Sequence, residues 1–207
     1  MDTMDGVWQW KGRCTRQLYL CDAWDMTGRE ATNESTGRQN PQSVTPEGNR
    51  VAPLPFGVVV KPVRTHVDAR GSLMEMYDPR WGVHPDEMVY AYAFTILPGC
   101  TKGWGLHREH DDRYVLVRGR MEIVFYDARE DSPTHGLEAY VTMSEFERCL
   151  ITIPTGIWHA NRNIGETELI VMNFPTTAYD HASPDKFTLP LDTKEIPVEL
   201  GPGWVGF

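Results

Sequence analysis

The sequence predicts an all-β chain, folded as an antiparallel sandwich or barrel of the jelly-roll type with an N-terminal extension. Three observations predict it: strand-like runs recur at short spacings from Phe56 onward, Pro and Gly turns separate them, and no helix-period run of convincing length intervenes. VYAYAFTIL (89–97) is rich in β-branched and aromatic residues, which fit a pleated, half-buried surface. RYVLVRGRMEIVFYD (113–127) reads as two such runs with a turn at Gly119. CLITIP (149–154), IWHANRNI (157–164) and TELIVMNFP (167–175) continue the series. Between them, YVTMSEFERC (140–149) has room for one short helical turn.

Composition divides the chain into residues 1–55 as an N-terminal arm, 56–200 as the jelly-roll domain and 201–207 as a tail. Residues 27–55 are rich in Thr, Ser, Asn, Gly and Pro and poor in large apolar residues, so they cannot bury enough surface to order alone. Ahead of them, VWQWKGRCTRQLYLCDAW carries aromatics that suit one or two strands packed on the main domain or on a second subunit. There is no internal repeat.

With 207 residues the chain is long enough for a sizeable core, and 41% hydrophobic with 24% charged residues is ordinary for a globular protein. A net charge of -9 argues against a nucleic-acid surface, which needs a basic face. It leaves room for a phosphorylated small molecule, for which a few local arginines suffice. No apolar run reaches the length of a membrane span and no secretory leader is recognisable, so the expected location is the cytoplasm. Cys14, Cys21, Cys100 and Cys149 show neither a C-x-x-C pair nor zinc spacing and read as free thiols.

PTGIWHANRN (154–163) reads P-x-G-x-x-H-x-x-x-N, a turn made by Pro154 and Gly156 followed by a strand that carries His159. This resembles the second signature of the cupin superfamily and makes the expected fold a cupin-type jelly roll. The first cupin signature, His-x-His with a following Glu, falls on KGWGLHREHDDRYVLVRG (102–119), where the fit is partial. His107 and Asp112 stand at ligand spacing, Gly105 takes the place of the first histidine, and His110 is one residue out of step. Two readings stay open: a polar mouth without metal, or a site of His107, Asp112 and His159 with His110 in support.

A longer resemblance favours the first. DARGSLMEMYDPRW (68–81), GWGLH (103–107), VRGRMEIVFYDAREDSPTHG (117–136), ITIPTGIWHANRNIG (151–165) and FPTTAYDHASPDKF (174–187) follow the order seen in dTDP-4-dehydrorhamnose 3,5-epimerases. Those enzymes are metal-free cupins, usually dimers, and need no cofactor. The resemblance implies an epimerase or isomerase that removes a proton beside a ketone on a nucleotide-linked 4-keto-6-deoxy sugar and returns it from the other face. It implies His107 as base, with Tyr179 as acid and Asp192 near the aspartate that orients the base. A histidine suits the first task because its pKa lies near working pH. Arg70 and Glu75 would meet nucleotide phosphate or sugar, or form a cross-strand ion pair. His159 and Arg129 would line or brace the pocket, while Asp180 and Asp185 suit caps or turns.

Three departures accompany the resemblance: two residue exchanges, and a loop between His107 and Gly119 shorter than the family's, which would have to swing Arg113 or Lys102 into the mouth. The family's arginine before Gly-Leu-His is Trp104 here, and the lysine that steadies its enolate gives way to Asp112, beside Arg113. An aspartate facing a developing enolate opposes it by like-charge repulsion. Arg113 or Lys102 could supply the missing positive charge, and Trp104 and Trp158 could stack on a sugar or base ring. The changes point to a different sugar nucleotide, a keto group moved between carbons, or a ketone without nucleotide. The alternatives are a metal-dependent lyase or dioxygenase and a non-catalytic sugar-binding cupin.

Overall fold

The structure, a computed structural model, describes residues 42–48, 50–201 and 204–206. Thirteen strands are present among them: β1 (Val59–Pro62), β2 (Thr65–Asp68), β3 (Gly71–Met74), β4 (Tyr92–Ile96), β5 (Cys100–Leu106), β6 (Asp112–Arg118), β7 (Arg120–Asp127), β8 (Glu138–Ser144), β9 (Cys149–Ile153), β10 (Ile157–Asn163), β11 (Leu169–Asn173), β12 (Phe187–Thr188) and β13 (Val205–Gly206). One sheet has the order β1-β9-β6-β11-β4, a second β12-β5-β10-β7-β8, and β2–β3 form a separate hairpin. Pairing is antiparallel throughout, except that β13 runs parallel to β5. This is the expected cupin-type jelly roll. The expectations for the aromatic stretch near the N-terminus, including Cys14 and Cys21, lie outside the described residues; Cys100 and Cys149 are free thiols.

The two sheets share one core because side chains alternate along each strand. Leu116 of β6, Ile123 and Phe125 of β7, Ile151 of β9 and Val171 of β11 meet between the sheets with almost no exposed surface. Burying each such side chain contributes roughly 1.5–3 kcal/mol. The alternation also corrects the reading of 140–149. Ala139, Val141 and Met143 turn inward from β8, so 138–144 is a strand, and no helical turn forms there.

The outer faces are covered as well. Outside the first sheet, Val115, Leu150 and Phe174 pack against Met74, Met76, Tyr77 and Trp81. Outside the second, Trp104, Val124 and Ala160 pack beneath Ile196 and Val198 of the C-terminal segment. Both β12 and β13 pair with β5, which closes that edge of the sheet.

Candidate active site

A cleft of about 800 Å³ lies against β4, β5, β6 and β10, the loop after β5 and the segment 175–190. Asp112 opens β6 and is buried at its floor. One carboxylate oxygen, Oδ1, accepts from the Asn173 amide at 2.6 Å; the other, Oδ2, accepts from the Tyr114 hydroxyl at 2.9 Å. Three histidines present Nε2 to the same carboxylate: His107 at 3.3 Å, His159 at 3.6 Å and His110 at 3.7 Å.

Each ring is held from behind by its other nitrogen. His107 Nδ1 donates to the Asp185 carbonyl at 2.5 Å, His110 Nδ1 to the Asp185 carboxylate at 2.8 Å, and His159 Nδ1 to the Ile157 carbonyl at 3.1 Å. A carbonyl or carboxylate can only accept, so each Nδ1 carries a hydrogen and each Nε2 is left for the cleft. Asp185 does more: its carboxylate takes the backbone N–H groups of Arg108 and Glu109 and so fixes the loop that bears both histidines.

Burial alone would raise the Asp112 carboxyl, but the hydrogen bond and charge of His107, the charge of His159 and the Asn173 amide hold it well below the usual carboxylate range. Burial works against an imidazolium at His107, yet Asp112 and the Asp185 carbonyl outweigh it and raise its pKa. His110 is lowered by burial and then by its neighbour His107, and His159 is lowered chiefly by burial. The shared carboxylate thus favours a positive charge on the His107 ring, while burial disfavours one on His110 and His159. The atoms His107, His110 and Asp112 offer to a metal lie within 4.8 Å of one another.

Of the residues read from the sequence, His107, His110, Asp112 and His159 meet at this floor, and Tyr179 and Lys102 line the same cleft. Others do not reach it. Arg113 follows Asp112 on the strand and faces outward, where its buried guanidinium donates to the Tyr77 hydroxyl and to the carbonyls of Asp86, Glu87, Phe174 and Pro175. Trp104 sits in the cleft wall with its side chain wholly buried in the outer apolar cluster, which leaves no face for stacking. Asp192 is exposed and makes no ion pair with His107; the carboxylate beside that ring is Asp112. Arg70 pairs with Asp68 on the exposed β2–β3 hairpin, and neither it nor Glu75 lines the cleft.

Arg129 does not line the cleft. It is clamped to the buried Asp127 carboxylate, and its methylenes lie so close to Gly156 that an added β-carbon would meet them at 2.9 Å. The N–H of Gly156, which has φ of 78°, donates to the His107 carbonyl at 2.8 Å. Asp185, Asn173, Tyr114 and Tyr92 were not singled out from the sequence: Asp185 reads as a turn residue, and the others sit in runs that read as core strand.

Residues 66–187 match the family described as the polysaccharide biosynthesis C-terminal domain. The chain belongs to that family. It is also similar to a probable low-salt glycan biosynthesis epimerase of Haloferax volcanii, with 34% identity over 137 residues, 65% of this chain and 87% of that protein. Among solved structures it resembles a dTDP sugar isomerase of Desulfovibrio desulfuricans at 24% identity and a TM-score of 0.66, over 72% of this chain and 94% of that one. A dTDP-4-dehydrorhamnose 3,5-epimerase of Sulfolobus tokodaii shares 18% identity and a TM-score of 0.62, over 75% of this chain and 88% of that one. At such identity the two structures establish the fold. For a member of the polysaccharide biosynthesis family, this cleft offers what proton transfer beside a carbonyl needs: an oriented imidazole, a buried carboxylate against it and hydroxyl groups on the facing walls.

Proposed function

We propose that this protein is an epimerase that inverts a carbon beside the ketone of a nucleotide-linked keto sugar, with His107 as the base and Tyr179 as the group that returns the proton. The observation that carries the reading is His107 itself, held by the Asp185 carbonyl at Nδ1 and set 3.3 Å from buried Asp112 at Nε2. Asp112 stabilises the imidazolium that forms when His107 takes the substrate's proton. Tyr179 lines the same cleft with 43% of its surface exposed and its ring edge-on to His181, and from there it would return the proton. The relatives' sugar-epimerase names support the reaction class. The reading takes the protein as a cytoplasmic homodimer acting on a small-molecule substrate; among the described residues no helix is long and apolar enough to cross a membrane.

A second reading keeps the reaction and adds a metal. Three Nε2 atoms and one carboxylate converge, and every Nδ1 has a backbone or carboxylate acceptor, the outer support that metal-bound histidines usually carry. His107, His110, Asp112 and His159 would hold the ion, which when bound would polarise the substrate carbonyl as a Lewis acid.

The experiment is solvent deuterium exchange into a 4-keto-6-deoxy sugar nucleotide, followed by NMR, with metal content measured on protein purified without chelator. His107→Asn is expected to lower exchange at least 100-fold. Exchange undiminished in that variant removes His107 as base, and stoichiometric zinc, iron or manganese with chelator-sensitive exchange selects the second reading.

A further inference from the structure

The cleft assembles a base and its partner, but Arg113 faces outward, Asp112 brings negative charge, and the two lysines that line the cleft, Lys102 and Lys186, are exposed. The structure offers a hydroxyl instead. Tyr92, Asn173 and Tyr114 form one row across β4, β11 and β6, paired Tyr92 with Asn173 and Asn173 with Tyr114. The Asn173 side chain is fixed in orientation because its Oδ1 accepts the Arg113 backbone N–H at 3.0 Å. Its amide nitrogen then donates to Asp112 Oδ1 at 2.6 Å and to the Tyr92 hydroxyl oxygen at 2.9 Å.

Both amide hydrogens of Asn173 are thus spent, one on each partner. The Tyr92 oxygen is an acceptor in that bond, so its own hydrogen points elsewhere, and among the described residues nothing accepts it. Tyr92 lines the cleft. Burial and then the charge of Asp112 push its hydroxyl up to about 12, so it stays protonated at working pH. Tyr114 differs: its hydrogen is already given to Asp112 at 2.9 Å.

We infer that Tyr92 is a catalytic residue that donates a hydrogen bond to the substrate's ketone oxygen as that oxygen becomes an enolate. The inference rests on the epimerase reading above. In the step, the C–H proton moves to the base, the C–H electron pair forms the C=C bond, and the carbonyl π pair moves onto the oxygen held by Tyr92. Tyr92 keeps its proton throughout, and reprotonation at carbon reverses the flow. A fixed donor aimed at the oxygen that gains charge lowers the barrier, because it need not reorganise during the reaction. Asn173 couples this donor to Asp112, so one amide positions both the oxygen's partner and the base's partner.

The test is Tyr92→Phe in the full chain, assayed by solvent deuterium exchange with kcat and KM determined separately. We expect kcat to fall about 10- to 1000-fold with KM changed by less than about threefold. A raised KM with unchanged kcat, or no change in either, overturns the assignment. Fluorotyrosine at position 92 keeps the ring and sharpens the donor, so it is expected to shift kcat but not KM; an unmoved kcat is equally fatal, even if the phenylalanine variant folds poorly. Wild-type protein that exchanges nothing sinks the epimerase reading and this assignment together, whereas wild-type exchange matched by Tyr92→Phe sinks this assignment alone.

Discussion

Asp112 and Arg113 are neighbours with opposite jobs, separated by the alternation of a strand. The first side chain lies buried beneath the cleft, against His107 and His159, and the second enters the outer layer, so no loop movement brings Arg113 to the substrate while β6 stays paired. Arg113 is a buried cation balanced by one hydroxyl and four backbone carbonyls, and it ties the segment 86–87 to the segment 174–175 beside the cleft. A lysine there reaches fewer acceptors and leaves buried carbonyls unpaired. Arg113→Lys is expected to destabilise the protein by about 2–4 kcal/mol in urea unfolding. A midpoint equal to wild type would mean that the guanidinium does not hold these segments. His107 and His159 were legible because a turn motif and a Gly-Leu-His precede and follow recognisable strands. Asp185 and Asn173 were not, since their roles depend on partners 78 and 61 residues away, which a local pattern cannot reveal.

At the level of elements, the strand runs announced themselves by composition, yet β8 and β5 did not. In β8 the period of two is present as Ala139, Val141 and Met143, but Glu138, Ser144 and Glu145 dilute it, and tertiary packing decides the matter. β5 contains two glycines and reads as a loop. The turn after β7 is the clearest case of an element serving the site. Asp127 is buried and accepts from Arg129, Ser132 and Thr134, while Thr134 and Arg129 together bond the Phe56 backbone. Burial would raise its carboxyl, but these donors hold it below the usual carboxylate range. A depressed folded-state pKa gives stability that is fully present above the unfolded value, near pH 4, and is lost as pH falls towards the folded one. Asp127→Asn is therefore expected to melt lower at pH 7 and to lose less of its melting temperature between pH 5 and pH 3 than wild type. Parallel acid limbs in calorimetry would show that Asp127 is not the titrating group.

For the molecule as a whole, the sequence foretold the jelly roll but not what surrounds it, because coverings are made by distant segments. The outer face of the second sheet is sealed by Leu189, Leu191, Ile196, Val198, Leu200 and Trp204, from a stretch that carries no strong periodic pattern. Among the described residues the β2–β3 hairpin, apart from Met74, has no such cover. Among the described residues it pairs with no other strand, and Val67 and Leu73 are 78% and 62% exposed on it. A lone two-stranded hairpin is marginal in water, and two open edges beside apolar side chains favour pairing with another chain. A second copy of this protein is the occupant that the expected dimer supplies. Light scattering is expected to return twice the chain's 23.6 kDa. The double variant Val67→Asp, Leu73→Asp should shift that mass to a single chain while circular dichroism stays β-rich, since neither residue belongs to the core between the sheets. A wild-type mass of one chain would remove the dimer, and a dimer that survives both substitutions would move the contact away from the hairpin.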